Sequence, residues 1–459
     1  MLKKTLLSIL TVAVVTACSK DEIKTVNSNP EGATSILFSP VVPLATRGTN
    51  TAISALQNDA NGFYVVAYGN NAFYFNRTKA IYSASGKEGI TDQEGFFLEK
   101  NYAWPSYDLT FAAWYPTVLP AGGGSVTAAY KSDGTTTMPG QYVSQPKWDA
   151  DGTLIQGQYI KGFVPSTDCA KQTDIVMART KAESASYKEG KTPVTLNFRH
   201  ILSKISIKAA KSEGDQIKVE IAKVELRNIP SKADFDFRGT DDYVTDNRYG
   251  NASVGQSALV PFDHWKLDVP TSIVTYSDAS IETANMQRYP CTLSDAVTVG
   301  PEVSATAADL LAGDNSMLLI PVNFNGNYGG SYLRAWDQTI TEEGKHAVGA
   351  YLALTMRVLK KNASDPTQFD VIYPALDTPA GLQETIGDKT YGKAAAGIIT
   401  SDTEWNPGRH YIYTLNFTDS GVGKTDPEEP GGGEDILGGN MWFTVTVDDW
   451  AEVSSAPSF

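Results

Sequence analysis

Apolar and polar side chains alternate with a period of two along almost the whole of this chain, and few folds other than packed β-sheets can use such a pattern. It is clear at residues 62–68, 108–115, 194–198, 217–226 and 350–358, each bounded by turn-forming residues. Successive side chains of a strand point to opposite faces, so the alternation buries one face and wets the other. Glycine at 39 positions and tyrosine at 22 fit many short strands joined by turns. Helical spacing is confined to two short stretches, 54–59 and 305–311. The expected fold is all-β, of the sandwich type, and a doubly wound α/β fold is excluded.

At 459 residues the chain is long enough for two domains, or three. A polar, turn-containing stretch at 208–216 lies between two strand-like runs. It puts the junction near residue 212, with an N-terminal domain over 48–212 and a C-terminal domain over 213–459. Residues 419–440 are acidic and rich in Gly and Pro, the composition of a flexible tether reaching roughly 65 Å at about 3.3 Å per residue. Beyond it, residues 441–450 read as one strand, with Met441, Phe443, Val445 and Val447 on one face and Trp442, Thr444, Thr446 and Asp448 on the other. A lone strand has no stability of its own, so it must pair with a sheet edge in its own chain or in a neighbour's. The other end of the chain offers a counterpart. Residues 34–42 read as a strand with Ile36 and Phe38 on the same face, followed by a turn-like segment around Arg47 and Gly48. A cut after Arg47 would release that strand and leave an apolar groove with unpaired backbone groups, which another chain's strand could fill.

The first residues read as an export signal: Lys3 and Lys4, then an apolar run from Thr5 to Val15 that is too short to span a bilayer. The run ends at Val15-Thr16-Ala17-Cys18, which resembles a bacterial lipobox. Residues 1–17 would then be removed, and acyl chains on Cys18 would hold the protein to a membrane. Ser19-Lys20-Asp21-Glu22 resemble the tag that sends such lipoproteins to the outer face of the outer membrane. A net charge of −14, with no basic patch interleaved with aromatics, argues against nucleic acid as a partner. Besides Cys18 there are only Cys169 and Cys291, whose spacing leaves their pairing open.

Catalytic signatures are missing. Of the histidines His200, His264, His346 and His410, the first and last lie inside strand-like runs without a partner at metal-binding spacing, and read as packed structural residues. There is no Gly-x-Ser-x-Gly elbow. Gly423-Lys424-Thr425 imitates the end of a phosphate-binding loop, but Thr418 stands where its first glycine is required. Asp149-Ala150-Asp151-Gly152 begins like a calcium loop, yet Ile160 occupies the position of the closing glutamate, and Asp241, Asp242 and Asp246 read as a solvated loop. No catalytic residue, metal ligand or cofactor is expected. A glycan-binding surface would need exposed aromatic platforms, for which Trp104, Trp114, Trp148, Trp265 and Trp336 are available.

Three segments together carry a more specific resemblance. Residues 198–207 contain Phe198, His200, Leu202, Ser203, Lys204 and Ile205 in the order Phe-x-His-x-Leu-Ser-Lys-Ile. Trp405, Pro407, Gly408, Tyr411, Tyr413, Thr414 and Leu415 form a second pattern, and residues 443–450 a closing one. With the lipobox and the Thr46-Arg47 site, they resemble the fimbrillin family of type V pilus subunits over nearly the whole chain. The resemblance implies two transthyretin-like β-sandwich domains in tandem, and lipoprotein precursors that polymerise by strand exchange. It further implies Cys18 as the acylation site, Arg47–Gly48 as the cut made by an Arg-specific surface protease, and a displaceable strand within residues 18–47. Residues 441–450 become the donor strand, through Met441, Phe443, Val445 and Val447. The implied partners are other fimbrial subunits, the protease, the outer membrane through the lipid, and a host glycan or protein receptor. A shaft or stalk subunit ranks first; a tip adhesin or a stand-alone glycan-binding lipoprotein is the alternative.

Overall fold

The structure is a computed structural model that describes residues 36–41, 53–70, 72–87, 90–91, 93–127, 143, 147–148, 154–156, 159–187, 192–237, 265–268, 286–311, 315–324, 349–400, 402–439 and 441–450. In chain order its principal strands begin with β1 (Leu37–Val41), β2 (Phe63–Gly69), β3 (Ala72–Ser83), β4 (Gly95–Leu98), β5 (Leu109–Tyr115), β6 (Tyr159–Pro165), β7 (Val176–Ala182), β8 (Val194–Asn197) and β9 (Arg199–His200). They continue with β10 (Ser203–Glu213), β11 (Ile217–Pro230), β12 (Ala233–Asp236), β13 (Trp265–Leu267), β14 (Met286–Val299), β15 (Ala308–Leu311) and β16 (Met317–Leu319). The last are β17 (Tyr351–Lys361), β18 (Lys389–Ala396), β19 (Arg409–Thr418), β20 (Lys424–Thr425) and β21 (Trp442–Asp449). The chain is all-β, as the alternation requires. The helix expected at 54–59 is α1 (Ile53–Asn58), but the one expected at 305–311 is not formed. Residues 308–311 are β15, because pairing with β10 satisfies their backbone and buries Leu310 and Leu311.

The first body is one eight-stranded sheet in the order β8-β1-β4-β3-β2-β5-β7-β9. Its edge strands β8 and β9 are separated only by Phe198, so the sheet curls round on itself. It encloses an aromatic core of Phe38, Phe63, Phe75, Phe96, Phe111 and Phe198, joined by Leu56 of α1. Val66, Trp114 and Met177 leave the opposite face of the same strands and meet Phe163, Ala233, Phe235 and Trp265. Those residues belong to a small sheet, β13-β12-β6 with Gly124–Ser125 at its edge, so the chain returns to the first body after residue 230.

The second body is a sandwich. A five-stranded sheet has the order β15-β10-β19-β21, with β16 also on β10, and a seven-stranded sheet contains β14-β11-β17-β18. Ile205, Ile207, Tyr413 and Leu415 from the first sheet pack against Val219, Ile221, Leu352, Leu354 and Met356 from the second. The stretch 208–216, expected as a domain junction, is corrected here: it ends β10 and turns into β11 inside this sandwich. Asp419 clamps that turn, accepting from the backbone N–H groups of Asp215, Gln216 and Ile217 and from Lys211 Nζ at 2.8 Å. Gly214, at φ +80°, is required there, since a Cβ would run into the Asp419 carboxylate. The chain passes between the bodies at Ile201 and Leu202, both buried, and Cys169 pairs with Cys291 of β14 to link the bodies covalently.

Candidate assembly site

β1 is an inner strand of its sheet. It runs parallel to β8 with Phe38 opposite Val194, and antiparallel to β4 with Phe38 opposite Phe96. The Phe198 N–H donates to the Val41 carbonyl at 2.8 Å, and the Ile36 N–H to Tyr102 at 3.3 Å. Phe38 meets Phe63 and Phe111 edge-on, with ring centroids 6.2 and 5.2 Å away. Leu37 points to the other face and packs on Phe97, leaning over Gly95, where a Cβ would come within 2.6 Å of it. Ile36, Leu37 and Phe38 are all buried. At about 1.5–3 kcal/mol for each side chain, an empty groove would forfeit on the order of 5–9 kcal/mol, so whatever removes β1 must be followed by a replacement.

The last strand sits differently. Among the described residues β21 is an edge strand that pairs only with β19, antiparallel from Arg409 opposite Asp449 to Asn416 opposite Trp442. Of its expected donor face, Met441 and Phe443 pack against the second core, and Phe443 lies 6.0 Å from the Tyr413 ring. Val445 and Val447 are 46% and 50% exposed, and Trp442 is 64% exposed. The strand is held at its end by Trp450, which is buried and lies flat on the His200 ring at 4.2 Å. His200 is itself buried, with Nδ1 2.9 Å from Asp174, so the contact ties the last strand to the first body. Below β21, His410 Nε2 is 2.7 Å from Ser206 Oγ, and burial together with Lys204 and Lys208 pushes its pKa down to about 4.

The stretch expected as a flexible tether is instead a folded strap. β20 pairs with β18, and Val422, Asp426 and Ile436 are buried. Its carboxylates converge on Arg227 of β11: Asp426 at 2.7 Å and Glu428 at 3.3 Å, with Glu225 at 3.1 Å completing the set. Arg288 also reaches Glu428 at 2.8 Å, and the Tyr351 hydroxyl donates to Asp426 at 2.9 Å. Burial would lower the Arg227 pKa, but Tyr351, Asp426, Glu225 and Glu428 hold it well above its ordinary value. Burial pushes the Asp426 carboxyl up against the pull of Arg227. Composition alone misleads here because acidic and glycine-rich segments serve flexible linkers and tight, ion-paired turns alike.

Cys18, Arg47 and Gly48 lie outside the described residues, as do His264, His346, Asp241, Asp242 and Asp246. Gly423-Lys424-Thr425 belongs to the strap, not to a strand-to-helix loop. Trp114 and Trp265 are core residues, and Trp104 stacks on Tyr187. Sequence reasoning puts Trp442 on the outer face of the last strand but does not single out Trp450, whose only signal is its place in the closing pattern. That pattern and the earlier two now explain one another. Residues 204–213 run parallel to 410–418, Ser203 Oγ donates to the Asn406 carbonyl at 2.9 Å, and the Trp450 N–H donates to the Gly408 carbonyl at 3.0 Å.

The geometry is that of a two-body β protein with a buried inner first strand and a partly exposed last strand at a sheet edge. The model of fimbrillin-like proteins matches residues 46–323, more than half of the chain, and the chain belongs to that family. Membership makes it a structural protein of the fimbrial kind, with a cell-surface or fimbrial location, and not an enzyme. Among curated proteins none matches it. Among solved structures, a fimbrial protein of Bacteroides vulgatus is similar at 12% identity and a TM-score of 0.49, covering 90% of this chain and 99% of its own. A candidate cell adhesion protein of Bacteroides uniformis, also 12% identical, has a TM-score of 0.33 and covers 92% of this chain and 100% of its own.

Proposed function

We propose that this chain is a shaft or accessory stalk subunit of a type V-like fimbria. In this reading it is exported as a lipoprotein acylated at Cys18, held at the outer membrane, and trimmed after Arg47 by an Arg-specific surface protease. Residues 441–450 of one copy then take the place of β1 in the next. The observation that carries the reading is the seat of β1: two flanking strands and an aromatic core that would be left open once the strand has gone. Exposed Trp442, Val445 and Val447 on the last strand supply apolar surface of the kind such a groove takes up. A tip adhesin would accept a strand without donating one. A stand-alone glycan-binding lipoprotein is disfavoured by the core positions of Trp114 and Trp265. A host receptor would be met by the assembled fibre.

The test uses the chain from residue 19 onward, treated briefly with an Arg-specific protease. The expected result is a new N-terminus at Gly48, a ladder on unboiled gels and filaments by electron microscopy, all but the cut abolished by deleting residues 441–459. No cut at Arg47, or a cut that leaves only monomers, would sink the shaft assignment and move the weight to a lipid-held anchor or a stand-alone glycan-binding lipoprotein.

A further inference from the structure

The first and last strands share one side-chain pattern. Residues 36–42 read Ile-Leu-Phe-Ser-Pro-Val-Val, and residues 441–447 read Met-Trp-Phe-Thr-Val-Thr-Val. Placed together, the core-facing Ile36 and Phe38 correspond to Met441 and Phe443, and Leu37 and Ser39 on the other face correspond to Trp442 and Thr444. On this basis we infer that the groove left by β1 takes residues 441–447 of a second copy in a single register, Phe443 in the place of Phe38, with the strand running parallel to β8. The inference rests on the exchange reading and deepens it by naming each position of the partner.

Three physical constraints select this register. A slip by one residue would turn Trp442 and Thr444 into the aromatic core and Phe443 out of it. A slip by two puts Val445 or Met441 where Phe38 fills a box made by Phe63 and Phe111, and neither supplies a ring to replace the edge-on contacts. Trp442 goes where Leu37 lies, over Phe97 and beside Gly95, whose missing side chain leaves the room that the outer face needs. The direction of the exchange is also favourable. β1 has five residues and contains Pro40, which has no N–H; the incoming strand has eight, and Val445 brings a donor to that position. The exposure of Trp442 on its own body then has a reason: it is the residue that seals the neighbour's outer face.

Cysteine pairs read the register directly. Ser39 is the partner of Thr195 in β8, and neighbouring strands lie about 4.8 Å apart, within reach of a disulfide. Thr195→Cys is combined in turn with Trp442→Cys, Thr444→Cys and Thr446→Cys in the chain from residue 19, keeping Cys169 and Cys291. Each variant is cut at Arg47 and oxidised gently. The expected outcome is a covalent ladder with Thr444→Cys, absent from the uncut chain and from the other two pairs. A ladder with 442 or 446 instead overturns the register while leaving exchange intact. No covalent ladder with any pair, alongside the unboiled ladder of the wild type, overturns the proposed register and leaves exchange intact. If the wild type itself forms no ladder, it is the assembly reading that fails.

Discussion

The first and last strands of this protein share an alternating apolar pattern and are placed in opposite ways. β1 is short and lies between two neighbours, with Ile36, Leu37 and Phe38 out of solvent. β21 is longer, has one neighbour, and leaves Trp442, Val445 and Val447 in water. Apolar alternation alone therefore does not decide where a strand is buried. What separates the two is the partner surface: a curled sheet closes on both sides of β1, while β19 offers β21 a single edge. In the proposed assembly, the strand to be released by a cut would lie where leaving is costly, and the strand offered to a partner where leaving is easier.

That contrast can be broken most severely by truncating each strand. Phe38→Ala should cost the uncut chain about 3–5 kcal/mol, whereas Val445→Ala should cost less than about 0.5 kcal/mol, both by chemical denaturation. Equal losses would mean that β21 is as deeply held as β1. A smaller effect is expected at the end of the last strand. Trp450→Ala should cost about 3 kcal/mol through lost packing on His200 and speed amide exchange across residues 442–449, leaving 37–41 protected. If both strands loosen together, Trp450 braces the whole molecule rather than one edge. The smallest effect is on pH. The His410 pKa is depressed by burial, Lys204 and Lys208 to about 4, from an ordinary value near 6.5, with Asp448 as its cross-strand neighbour. Its neutral form therefore contributes full stability above about pH 6.5, and that contribution is lost as pH falls through about 4. Melting temperature should drop by a few degrees between about pH 7 and pH 4.5, and by less in His410→Gln, which can still bond Ser206. An identical drop in that variant would assign the acid sensitivity elsewhere.

Much of this was readable from the residues, and the failures have a common cause. The strands, the paired faces of 36 and 38, and the packed state of His200 and His410 follow from local alternation, which is a property of neighbours in sequence. The signature at 198–207 was recognisable as a pattern, but not what it does. Phe198 belongs to the first core, Ile201 and Leu202 to the interface, and Ile205 and Ile207 to the second core, so eight or so residues thread all three. The true passage between the bodies is apolar, and the polar stretch chosen for it is only a hairpin turn. The strap reads as a tether because its binding partner, Arg227, lies some two hundred residues earlier. The exposure of Trp442 likewise depends on which edge β21 finds, and no window of sequence contains that edge.

The covalent bond between Cys169 and Cys291 closes a ring that includes β8, one wall of the groove. In a fibre of the proposed kind, traction enters a subunit at that wall and leaves through β21. From residue 195 to Cys291 the chain counts 96 residues (291 − 195), but back to Cys169 it counts only 26 (195 − 169). The shorter arm goes taut first, at roughly 90 Å rather than the roughly 330 Å that the longer arm would pay out. The bond is thus a strain limiter: it caps the slack that the span from residue 195 to Cys291 can add to a loaded subunit.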